Sequence, residues 1–148
     1  MNLKKQLYKL CVDFVDQRLE TIQKTIESNQ KALTSETKSS AGDKHETGRA
    51  MLQLEMEKAG QQLHVIQQMK ETLAKMNLHS TDVISLGSLV ETNLGTYFIS
   101  ISAGQLQIED KNYFAISTSS PIGKLLLGKK VEDDLVWNGR KIKIHTIL

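Results

Sequence analysis

From Leu3 to about residue 77 the chain contains no proline, and its apolar residues return at helical spacing throughout. Leu3, Leu7, Leu10 and Phe14 step by 4, 3 and 4. A neighbouring row runs Val15, Leu19, Ile22, Ile26 and, past a polar gap at Asn29, Leu33. A second segment repeats the pattern with Leu52, Met56, Ala59, Leu63, Ile66, Met69, Leu73 and Met76. The stripes are narrow and their period lies near 3.5 residues, as in the seam of a coiled coil.

Between the two segments, Ser35 to Asp43 carries no apolar row and ends in turn-forming residues. Folding the chain back near Ala41 sets Leu33 against the region of Ala50, Ile26 against Met56, Ile22 against Leu63, and Leu7 against Met76. Residues 1–78 are therefore expected to form an antiparallel two-helix hairpin. Its arms of about 30–35 residues would be about 50 Å long at the helical rise. Two helices of that length bury little core between them, so the distal end is expected in solvent. A free arm with a polar tip suits a probe.

The period changes after Leu78. Val83–Leu86, Leu89–Val90, Thr96–Ile101, Leu106–Ile108, Tyr113–Ile116, Leu135–Trp137 and Lys141–His145 are short and rich in β-formers, several of them alternating. Asn93–Leu94–Gly95, Ala103–Gly104 and Asn138–Gly139 punctuate them, the last a strong two-residue hairpin turn. One helix interrupts the strands. Ser120 serves as its N-cap, Pro121 takes its first position, Leu125, Leu126 and Leu127 form its apolar face, and Gly128 ends it. The fold class is α+β: a coiled-coil hairpin followed, over residues 79–148, by a small antiparallel sheet with one short helix packed on it.

Totals exclude several functions. A formal charge of +2 is too small for a charge-driven nucleic-acid binder. Cys11 is the sole cysteine, so there is no internal disulfide and no cysteine-built zinc site; it reads as a small buried hydrophobe. Lys9, Asp13 and Asp16 break the N-terminal apolar stretch, and no run approaches a membrane span. The expectation is a cytoplasmic protein without membrane contact. His64, His79 and His145 share no ligand spacing, and packing or exposure accounts for them; Trp137 belongs in the core or at a sheet edge.

The chemistry lies in Gly42–Asp43–Lys44–His45–Glu46. Two carboxylates three residues apart at a helix start share a face. Asp43 and Glu46 are also an ordinary capping arrangement at the positive end of the helix dipole. The two readings are compatible. Carboxylate oxygens suit Mg²⁺, but one pair holds the ion weakly unless another macromolecule supplies further ligands.

This segment resembles the Gly-Asp-x-x-Glu tip of the GreA/GreB family of bacterial transcript-cleavage factors, likewise set between two long antiparallel helices. The stretch from Ile116 to Asp133, with Ser119–Ser120–Pro121–Ile122 and Leu126–Leu127–Gly128–Lys129, is similar to that family's strand–(Ser-Ser-Pro-Ile)–helix–(Leu-x-Gly-Lys) segment, and a closing hairpin from Asp134 to Leu148 follows. The resemblance runs in order over nearly the whole chain.

The resemblance implies an FKBP-like C-terminal domain docked at the rim of the RNA polymerase secondary channel, with the hairpin inside it. Asp43 and Glu46 would be metal-assisting acids that share Mg²⁺ with the polymerase and act on the 3′ end of backtracked nascent RNA. Ser119, Pro121 and Ile122 would contact the polymerase; as residues they also make a good helix start in any domain. The chain would have no cofactor of its own, no independent nucleic-acid binding and no nuclease activity when free. It would be an accessory factor rather than an enzyme. Where the family continues Asn-Ala-Glu-Tyr, this chain has Thr47–Gly48–Arg49–Ala50. An acid and an aromatic are missing, which leaves open a channel-binding regulator without cleavage. A third reading, a prolyl isomerase, needs an aromatic-lined pocket that 5% aromatic content serves poorly.

Overall fold

The computed structural model describes the backbone of residues 2–38 and 42–148, and the side chains of 2–35 and 47–148. Two long helices, α1 (Leu3–Lys38) and α2 (Gly42–Lys75), precede the strands β1 (Leu89–Thr92), β2 (Gly95–Ser100), β3 (Gly104–Ile108) and β4 (Lys111–Ser117). The short helix α3 (Pro121–Leu126) and strands β5 (Asp134–Trp137) and β6 (Arg140–Ile147) complete the chain. The α+β reading holds. Among the described residues no helix is long and apolar enough to cross a membrane.

The chain divides into two compact units, Val15–Lys70 and a second made of Met1–Phe14 with Glu71–Leu148. In the first, burial follows a heptad. Val15, Ile22 and Asn29 are buried at every seventh residue of α1, and Ala59 and Ile66 likewise on α2. Leu19, Ile26, Leu33, Leu52, Met56 and Leu63 are only half-buried beside them. The seam is thus narrower than the apolar stripes. Asn29, which interrupts the stripe in the sequence, lies inside the seam.

In the second unit, Asn2 caps α1: its side-chain Oδ1 accepts from the Lys4 backbone N–H at 2.8 Å. Leu7 and Cys11 are wholly buried. Tyr8 donates its hydroxyl to the Leu73 carbonyl at 3.0 Å, which joins the root of α1 to the end of α2. Cys11 Sγ lies 3.7 Å from Ser100 Oγ, so the same turns of α1 reach the sheet. Burial pushes the Cys11 thiol up, and the residue behaves as the buried hydrophobe expected.

The sheet has six strands in the order β3-β4-β2-β1-β6-β5. Every neighbouring pair is antiparallel except β2 with β4, which run parallel with Tyr97 opposite Phe114 and Ile99 opposite Ile116. The sheet is thus mostly antiparallel, as expected, with one parallel pair inside it. The hairpin β3–β4 swings outward after Ser100, and its second strand returns between β3 and β2. The Asn138–Gly139 turn forms as its sequence demands, with φ of 50° and 77° at its two residues.

Val83–Leu86 is not a strand, although its composition suggested one. It makes one bridge, Val83 to Lys130. Ile84 pairs its backbone with the chain after α3, donating to the Lys129 carbonyl at 2.9 Å and accepting from Gly128 N–H at 2.8 Å. Its side chain joins Val90, Ile99, Leu126, Ile142 and Ile144 in the core between sheet and α3. Burial of one isoleucine, rather than a ladder, explains the β-like pattern there. Where β1 meets β6 the register shifts between Glu91 and Thr92. Asn93 bridges this break: its amide donates to the Lys141 carbonyl at 2.9 Å and accepts from the Lys143 N–H at 2.7 Å.

Lys4 is buried, with 5% of its surface exposed, and its ammonium donates to the carbonyls of Leu148 at 3.0 Å and His79 at 3.5 Å. Burial pushes its pKa below the usual 10.5. The unfolded chain therefore holds that proton more tightly, and stability should rise with pH between the lowered folded value and 10.5. Lys4→Met is expected to abolish this component. Urea denaturation of both chains at a series of alkaline pH values measures it, and identical pH slopes would refute the assignment.

Candidate functional site

Asp43 and Glu46 fall in the first turn of α2, which begins at Gly42. Their i, i+3 spacing on helical backbone is the relation that puts two side chains on one face. The side chains themselves lie outside the described residues. Thr47 and Arg49, just beyond, are exposed. Among the described residues no three His, Cys, Asp or Glu side chains gather where they could hold a metal.

The second candidate region is the turn from β4 into α3, and here local chemistry determines the geometry. Ser120 has φ −68° and ψ 154°, the extended conformation of an N-cap, and its Oγ accepts from the Gly123 N–H at 3.1 Å. The same hydroxyl donates to the Ser117 carbonyl at 2.7 Å. Ser117 Oγ in turn accepts from the Ser120 N–H at 3.1 Å and lies 3.1 Å from Ser119 Oγ. Pro121 follows at the start of the helix, where its missing N–H costs nothing. This net of short-range bonds holds the chain reversal before α3.

The three residues proposed for partner contact differ in how they are presented. Ser119 and Pro121 are exposed at the crown of the turn. Ile122 is half-buried and packs against the core cluster, so it anchors the turn as well as flanking its surface. Leu126 is wholly buried and Leu125 partly so, but Leu127, assigned to the same apolar face, caps the helix and is 43% exposed. The helix is only six residues long, and its face turns away before Leu127.

One surface feature escaped the sequence reading. Tyr97 and Phe114 form a tilted ring pair with centroids 6.0 Å apart, and Phe114 is 37% exposed. Each residue sits in an alternating strand, but only the parallel pairing of β2 with β4 brings them together. The histidines remain without a shared site: His64, His79 and His145 are all exposed. Trp137 is half-buried at the end of the edge strand β5 and packs on the core.

No protein-family model matches the chain, and no curated protein matches it. Solved structures do. A crystal structure of GreA factor homolog 1 (Gfh1) of Thermus thermophilus is 22% identical, covers 90% of this chain and 92% of its own, and gives a TM-score of 0.36. A structure of the transcription factor Gfh1 is 21% identical, covers 95% and 92%, and gives 0.35. Agreement at that level is too low to bear on function.

Gly123 is buried beneath the turn, and a methyl built on it would run into the Ser117 carbonyl oxygen. Gly123→Ala is expected to destabilise the chain by about 1–3 kcal/mol through overpacking against backbone. Ser120→Ala should cost about 1 kcal/mol through loss of the cap. Thermal denaturation of both variants checks this; a neutral Gly123→Ala would show that the turn yields.

Proposed function

We propose that this chain is an accessory factor of RNA polymerase in the manner of the GreA/GreB family, reaching the polymerase through its secondary channel. One observation carries the reading. The Gly-Asp-x-x-Glu segment opens α2 after a long α1, and the Ser-Ser-Pro-Ile segment makes the turn from strand into short helix, an order of elements that supports the reading.

The finer reading is that Asp43 and Glu46 assist cleavage of backtracked RNA. Two carboxylates on one helical turn are hard oxygen donors of the type Mg²⁺ takes, and too few to retain it alone. A shared ion supplies polarisation of a phosphate and a more acidic bound water. The residues of this chain contribute negative charge and orientation, while the polymerase holds the substrate. Ser119 and Pro121, exposed on a hydrogen-bonded turn, offer a preformed contact for the polymerase surface.

A second reading is a regulator that occupies the channel without cleavage. The observation in its favour is Arg49, exposed on α2 three residues after Glu46, where the family carries an acid. A cation one turn from the acidic pair reduces the negative potential available to a divalent ion.

A backtracked elongation complex incubated with the protein and Mg²⁺ distinguishes the two. Short 3′ RNA fragments that disappear with Asp43→Ala or Glu46→Ala are expected for a cleavage factor. Binding that yields no fragments in the wild type selects the regulator. A chain that does not bind polymerase is neither.

A further inference from the structure

The seam of the Val15–Lys70 unit contains one group that its surroundings do not satisfy. Asn29 continues the heptad of Val15 and Ile22 and is 8% exposed. Its side-chain Nδ2 is sealed from solvent, with no hydrogen-bond acceptor in reach among the described residues. Amide donors buried without an acceptor oppose close packing of their layer, whereas the neighbouring apolar layers favour it.

Burial weakens on one side of that layer. Toward the root, α1 fully buries Ile22, Val15, Cys11 and Leu7, and α2 fully buries Ala59, Ile66 and Leu73. On the other side, among the described residues, Ala32 and Leu33 of α1 and Gly48 and Leu52 of α2 are half-covered, and no residue of 30–35 or 47–53 is buried. On the root side, by contrast, the half-covered Leu19, Ile26, Met56 and Leu63 stand beside buried positions. Met51, within 47–53, and Leu54, just beyond it, stand exposed. Gly48 falls within 47–53 too, and Gly60 lies on the root side, next to Ala59. A Cβ at Gly60 would meet nothing within 4 Å, so packing does not call for a glycine, and each glycine lowers the helix-forming tendency of α2.

We propose that the Asn29 layer is a built-in weak point that divides the hairpin into two cooperative segments. The segment on the Val15 and Ile66 side stays paired, while residues 30–35 and 47–53 separate and re-form together. A polar residue at one seam position trades stability for a defined behaviour of the coil, and local opening of the less buried part follows from its smaller apolar burial. No partner is required, so this inference stands apart from the proposed function.

Hydrogen exchange of the full chain, followed by mass spectrometry, tests it. In the wild type, amides of 47–53 exchange faster than those of 60–73. Asn29→Leu removes the orphaned donors and completes the apolar row, and should slow exchange in 30–35 and 47–53 by about tenfold to a hundredfold, leaving 60–73 unchanged. Gln30→Leu, at an exposed position on the same turn, serves as the control and should leave both segments as they are. Equal protection on the two sides of Asn29 in the wild type overturns the proposal. So does an Asn29→Leu effect that is absent, or that is the same in both segments.

Discussion

Burial of the first turns of α1 is the constraint on which the sheet-bearing unit depends. A pair of long helices has only a narrow strip to hide, and a small sheet needs cover on its second face. The root of α1 meets both needs with neighbouring residues. Tyr8 is tied to Leu73 on α2, Cys11 reaches Ser100 on β2, and Lys4 reaches the carbonyls of His79 and Leu148. Leu7 and Cys11 have no exposed surface at all. The compact unit accordingly takes in Met1–Phe14 and Glu71–Leu148 together. The change from helical to alternating periodicity is a change of secondary structure, whereas the compact unit is a matter of packing.

On the other face of the sheet, α3 does comparable work with six residues. Its cap is a serine that both donates and accepts, its first residue is the single proline of the chain, and Gly123 lets the helix lie close to the end of β4. The strand, the turn and the helix are therefore rigidly linked, with Ser119 and Pro121 at the crown. A preformed contact loses little conformational entropy on docking. Such a turn suits recognition even though every bond that shapes it has a structural purpose.

The tip and the seam place opposing demands on the hairpin. A pair of acids at a helix start shares a face only while that helix is formed, and a long helix needs a seam. Yet the seam here is filled at one heptad position only, and at Asn29 it is filled by an amide without an acceptor among the described residues. Arg49 adds a cation where the family carries an acid.

Local sequence alone determined the two helices and the change to strands after Leu78 through periodicity, and the Asn138–Gly139 hairpin and the capped start of α3 through their turn and cap residues, because each is a property of a few neighbouring residues. The order of the tip and turn motifs was legible for the same reason. Tertiary structure decided what depends on partners distant in sequence. β2 and β4 pair in parallel, which brings Tyr97 onto Phe114. Ile84 spends its β-forming character on the core rather than on a strand, and Leu127 leaves the face of α3 for solvent. Asn29, polar and so apparently a gap, is buried, because which residues a helix hides is settled by the helix packed against it and not by the residue's own polarity.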